Sequence, residues 1–307
     1  MTSLLTNASA ITALQNLTST NKTMQTTQDR ISTGMRVSSA ADNAAYWSIA
    51  TTMRSDKAAI STVSDALGLA SATIDVASSA IDSAGKVVSQ IKEKLVAARQ
   101  VGVDRTKVQA EIKQLQDQIK SVADSSVFSG QNWLSVDSSA TGYNPTRSVV
   151  ASFIRSGGSV SIGTIDVDLT TTALYDASAT GEGIVDKTRT VGTTTASVAT
   201  LDISALTDSV ADTTTLNNYI SVVEASLTEL TTSGANLGAA KNRVGLQSDF
   251  VGDLIDSLTM GIGKLVDADM NQESTRLQAL QVQQQLGIQS LSIANQNSQQ
   301  ILALFKG

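Results

Sequence analysis

The residues that could do chemistry in this chain are few, and most are carboxylates. Asp166 and Asp168 flank Val167 in an alternating stretch. A spacing of two puts both on one face of a strand, where paired oxygens could hold calcium. Polar residues alternating along the wet face of a strand explain them better, without a metal. Gly181, Glu182, Gly183 and Gly261, Ile262, Gly263 share the paired glycines of phosphate-cradling loops. They lack the strand-then-helix context such loops need, so they read as loop and helix-packing features. Asp267, Asp269 and Glu273 form an acidic group near the end of the chain, and Arg36 and Asp42 are a candidate ion pair.

What is missing decides more. The chain has no histidine and no cysteine, which removes imidazole acid–base chemistry, thiolate nucleophiles, HExxH zinc sites and disulfides. The reading is therefore non-enzymatic, with no cofactor and no metal. A net charge of −6 and a pI near 4.7 argue against a nucleic-acid partner. No apolar run reaches the roughly 18 residues of a membrane span, which argues against membrane insertion. No basic residue precedes the first apolar positions, so no cleavable secretory signal is read there.

The elements that would position such residues are long helices. Tyr46, Met53, Ile60, Leu67, Ile74, Ile81, Val88 and Leu95 recur every seven residues, and Ile49, Val63, Ala70, Ala77, Ala84, Ile91 and Ala98 follow on a second line. This is the seam of a coiled coil, and an unbroken helix from Tyr46 to Ala98 would run about 80 Å. Gly102 ends it, and Val108, Ile112, Leu115, Ile119 and Val122 start a second, antiparallel helix. From Leu216 to Leu265 apolar positions recur in steps of four and three, weakened by Gly234 and Ser248. The register slips at Asp267 to Asp269, where a joint is expected, and resumes along Met270, Leu277, Gln284, Leu291, Ser298 and Phe305, with Leu280, Ala294 and Ile301 beside it. A thinner seam of Ala10, Leu14, Leu17, Met24 and Ile31 ends at a second joint, Gly34. Between the helical zones, residues 138–213 hold the single proline, Pro145, abundant Ser and Thr, and short alternations that predict strands.

The fold expected is mainly α. Both chain ends form a long antiparallel coiled-coil or helical hairpin, with a small β-rich central insert. Three divisions follow: residues 1–40 with 266–307, residues 41–137 with 214–265, and the insert 138–213. The two terminal segments carry too few large apolar residues among many Gln, Asn, Ser and Thr to order on their own. They are expected to become ordered against other copies of the chain.

Particular residues then resemble a known family. Ile31 through Ala45, reading ISTGMRVSSAADNAA, resembles the SSGxRINSAADDAA signature of bacterial flagellins, and Val127 through Asn132 resembles the family's FNG element. Leu265 through Met270 with Glu273 resembles IEDADYATE, and Ile293 through Leu304 resembles the QANQ…VLxLL close. Tyr46 and Trp47 point to the rhizobial, α-proteobacterial branch. The resemblance implies an inner tube of paired terminal helices, an outer tube of central helices and a solvent-facing insert. It implies a self-polymerising, extracellular filament subunit used for swimming. Its implied partners are many copies of itself, other flagellin subunits, hook–filament junction and cap proteins, an export chaperone and the flagellar type III export apparatus. The implied assembly positions are Leu14, Leu17, Met24, Ile31, Arg36, Asp42, Asp267, Asp269, Glu273, Leu277, Leu280, Leu291, Ile301, Leu304 and Phe305. Positions equivalent to those read by the vertebrate innate flagellin receptor are Gln90, Lys94 and Glu111, of which only the glutamate keeps the family's residue type. A hook–filament junction protein is the nearest alternative, and a signalling coiled coil a more distant one.

Overall fold

A computed structural model describes residues 7–157, 159–178 and 181–304, with side chains as far as residue 296. The described residues fall into two compact units, divided between Lys57 and Ala58 and between Ile255 and Asp256.

The first unit contains α1 (Ala8–Thr33) and α5 (Met270–Leu304). Asn7 caps α1 by accepting from the Ala10 amide, and Gly34 closes it at φ +70°. A side chain there would be strained, so glycine is the natural stop. Asp269 caps α5, accepting from the amides of Asn271 and Gln272. The two helices run antiparallel: Asn7 Nδ2 donates to Ala294 O, Asn21 Oδ1 accepts from Gln284 Nε2, and Arg30 meets Glu273. Both expected joints are present. Met35 pairs with Asp267 as an antiparallel bridge, and the Ala268 amide donates to Gly34 O. Beside this crossing Val37, Ala50, Ile262 and Val266 are buried together, with Met53 and Leu265 packed against them.

The helix α2 (Ala44–Ala98) starts on Asn43, whose side chain accepts from the amides of Ala45 and Tyr46. Its seam departs from the sequence expectation at the start, because Tyr46 and Ile49 are exposed and Ala50 is buried instead. The position facing Val37, Ile262 and Val266 is the one that packs, and it lies one residue off the line extrapolated from Ile49.

In the second unit the periodicity holds closely. Ile60, Leu67, Ile74, Ile81, Val88 and Leu95 are buried on α2, and Leu216, Val223, Leu230, Leu237, Val244 and Val251 on α4 (Val210–Val266). Asp75 with Lys241, Ile81 with Gly234 and Lys92 with Glu224 are paired in opposite order along the two helices, which are therefore antiparallel. The turn after α2 passes Gly102, at φ +85°, into α3 (Arg105–Ser125), capped by Asp104. Buried Arg105 fastens this end, donating to Ala98 O, Leu206 O and the Asp208 carboxylate.

The β-rich region spans Val127–Ala196, beginning ahead of the expected insert at residue 138, with eight strands in four pairs among the described residues. The first, β1 (Val127–Phe128) with β2 (Gln131–Asn132), turns through Ser129 and Gly130, both at positive φ as a tight primed turn requires. Next, β3 (Ser135–Val136) runs parallel to β6 (Tyr175–Asp176), and β4 (Thr146–Ser156) is antiparallel to β5 (Ser159–Asp168). The last pair is β7 (Arg189–Val191) and β8 (Thr194–Ala196). Leu134, Leu169, Leu174, Val185, Val198 and Ile203 form its buried interior. Two glutamines of α3 fasten it: Gln116 donates to Val198 O and Leu201 O, and Gln109 bonds Leu201 O and the Ile203 amide.

Candidate assembly surface

The terminal helices bury little of themselves. On α1 only Met24 and Thr27 are buried, and on α5 only Glu273 and Leu280 among its described side chains. Leu17, Ile31, Leu277 and Leu291 are half-buried, with Leu17 Cδ1 lying over Gly287. Met24 and Leu280 are thus spent inside the α1–α5 pair. Ile11, Leu14, Val282, Leu286, Ile288 and Ile293 are each at least 50% exposed. Ala13, Asn16, Gly287 and Ser290 line a shallow groove of about 600 Å³ between the two helices. Val282, Leu286 and Ile293 share one face of α5 at helical spacing, while Ile288 lies on another. Ile301 and Leu304 belong to α5 with side chains outside the described residues, and Phe305 lies outside them altogether.

The charged positions sit at the joint. Glu273 is 4% exposed; its Oε1 lies 3.1 Å from Arg30 Nη1 and 3.7 Å from Arg276 Nη1, while its buried Oε2 has no partner. Asp269 is the α5 cap and Asp267 the bridge residue. Arg36 and Asp42 do not pair. The Arg36 guanidinium donates to Lys264 O and Leu265 O, where the end of α4 leaves carbonyls without helical partners and the backbone dipole is negative. Asp42 instead accepts from the amides and hydroxyls of Ser38 and Ser39. The Ser39 amide bond, with the other serine donors, holds its carboxyl below the ordinary value of 3.8.

In the second unit Gln90 and Glu111 are exposed, and Lys94 Nζ lies 2.5 Å from the Glu111 carboxylate. Asp166 and Asp168 are exposed on β5 while Ile165 and Val167 are buried. They stand on the wet face, and Asp168 caps the short turn after the strand. Gly183 sits where a side chain would strike Leu174 O and Asp186, so it is a packing glycine. Sequence reasoning missed the Arg105 clamp, two of whose three acceptors lie 101 and 103 positions away in the chain.

The profile of the bacterial flagellin N-terminal helical region matches residues 4–139, and that of the C-terminal helical region matches residues 220–305. The chain belongs to the bacterial flagellin family. Among curated flagellins it is 48% identical to Flagellin C of Rhizobium meliloti strain 1021 over 322 aligned positions. It is 45% identical to a flagellin of Brucella melitensis biotype 1 over 308 positions. Both alignments span all of each chain. Flagellin A of Rhizobium meliloti aligns at 42% over 397 positions, again across both chains, so that relative carries sequence absent from this one. The rhizobial likeness of Tyr46 and Trp47 agrees with these relatives. The protein is a filament subunit of the bacterial flagellum, a structural role, and the hook–filament junction alternative is not favoured.

Proposed function

We propose that this flagellin polymerises by setting the exposed apolar faces of α1 and α5 against the same helices of neighbouring copies. The supporting observation is the imbalance on this pair: two buried residues on α1 against a row of exposed Ile, Leu and Val. Neighbours would cover that row and supply the burial that the isolated pair lacks. Leu14, Leu17, Ile31, Leu277 and Leu291, with Ile301, Leu304 and Phe305 beyond them, would line the contacts. Met24, Leu280, Arg30 and Glu273 would hold the pair in register. The three divisions of the chain would form an inner tube, an outer tube and an outward insert. The subunit would leave through the flagellar type III export apparatus, escorted by a chaperone. It would add beside other flagellin subunits between the junction and cap proteins. A chain with no cysteine and one proline suits that route, since no disulfide exchange and almost no slow prolyl isomerisation would delay folding on arrival.

The test is seeded polymerisation of purified protein, read by sedimentation and electron microscopy. Filaments that elongate from seeds and deplete the soluble pool to a fixed concentration are expected. Protein that coats seeds without elongating them would overturn the reading.

A further inference from the structure

The second unit carries a cleft of about 440 Å³ between α2 and the start of the insert. Leu69, half exposed, stands at its lip, and Phe128, Trp133 and Val149 form apolar walls. Ser129, Gln131, Asn144 and Thr146 line the cleft as well, and its charged side chain is Arg147, whose Nε is buried without a hydrogen-bond partner. A buried guanidinium donor left open is costly, and the geometry of its fork matches a carboxylate.

The same unit presents a complementary knob. Val244 and Val251 turn one face of α4 inward, while Leu246 and Phe250, one turn apart, are 73% and 59% exposed. Asp249 and Asp253 are exposed beside them and form no ion pair among the described residues. Four Phe and two Trp occur in the whole chain, so an exposed Phe250 is conspicuous. Aromatic and Arg side chains are the types that dominate interface energetics.

We infer that Phe250 and Leu246 of one copy seat in the Leu69, Phe128 and Trp133 cleft of a second copy, with Asp253 reaching Arg147. The inference rests on the filament reading and adds to it a residue-level contact made by the second unit. A second copy is the occupant because the chain belongs to a family of filament subunits and the charges are complementary. Knob and socket are different surfaces of one chain, so in a filament the contact runs head-to-tail and propagates, whereas a reciprocal exchange of both would close as a dimer.

Because the chain has no cysteine, the contact can be trapped. Ser129→Cys at the cleft and Asp253→Cys at the knob, combined in one chain, are polymerised on seeds and treated with a short thiol-reactive bifunctional linker. A ladder of dimers, trimers and longer species is expected, with neither single variant cross-linking. Polymer without cross-links, cross-linking of a single variant, or products that stop at dimers would each overturn the contact. In parallel, Arg147→Asp and Asp253→Arg should each raise the critical concentration for polymerisation on the order of tenfold, and the swap of both in one chain should restore it. Equal helicity by circular dichroism in all three variants separates this from misfolding, and a swap that fails to recover would overturn the pairing. If the unmodified chain does not polymerise, the filament reading falls and this contact with it. If it does, the variants judge the contact alone.

Discussion

Replacing Arg30 by alanine strands a carboxylate. Glu273 has a side chain only 6% exposed, held by Arg30 at 3.1 Å, and Arg30 itself is 28% exposed. Removing one partner of a fully buried pair costs about 3–5 kcal/mol. The partial exposure of Arg30, and Arg276 at 3.7 Å, bring the expected loss to about 2 kcal/mol. One oxygen of Glu273 already lacks a partner, so the residual charge has little else to turn to. If α1 and α5 are ordered mainly in the polymer, this loss falls on the polymer and not on the free subunit. The critical concentration of Arg30→Ala should then rise roughly 30-fold, 1.4 kcal/mol being a factor of ten. The thermal unfolding of dilute subunits should stay within about 1 °C. Glu273→Gln, which keeps the shape and removes the stranded charge, should cost clearly less. Sedimentation across a concentration series and circular dichroism of the dilute protein measure the two quantities. An unchanged critical concentration with a lowered melting temperature would refute the reasoning, since the pair would then be equally formed before and after assembly.

Leu286→Ser removes an exposed side chain, so it should leave the free subunit within about 0.5 kcal/mol of the parent and still raise the critical concentration on the order of tenfold; equal effects on both would count against a covered Leu286. Asp42 is acidified by its serine donors, so its contribution is present above 3.8, the unfolded value, and disappears as pH falls through the lower folded value. Asp42→Asn should therefore be less stable than the parent in neutral melts and equal to it in strongly acidic ones, and a difference that persists in acid would contradict the assignment. Lys94 occupies Glu111, so the vertebrate flagellin receptor should respond weakly in reporter cells, and Gln90→Arg with Lys94→Leu should strengthen the response; potent activation by the unmodified chain would refute this.

Much of the fold was legible because apolar periodicity reports the face that packs. The seven-residue lines from Ile60 to Ala98 coincide with buried positions, and the register slip at Asp267 to Asp269 coincides with the break between α4 and α5. The extrapolation failed at Tyr46 and Ile49, where the local packing partner, the Val37 and Val266 cluster, selects Ala50. Arg36 and Asp42 looked like partners because their charges are opposite and close in sequence. Helix-end carbonyls and serine amides outcompete that pairing, and such backbone groups leave no sign in side-chain composition. The Arg105 clamp was illegible for a related reason, since one of its acceptors is the Leu206 carbonyl. Of the proposed assembly surface, composition indicated only that the ends carry few large apolar residues; which of these stay exposed depends on the mutual register of α1 and α5.

Hydrogen exchange read by mass spectrometry, on dilute subunits and on polymer, tests the central claim most directly. Peptides from residues 8–33 and 270–304 should exchange freely in the dilute subunit and become strongly protected in the polymer, while residues 60–98 are protected in both. Terminal helices as protected as residues 60–98 in the dilute subunit would contradict the account.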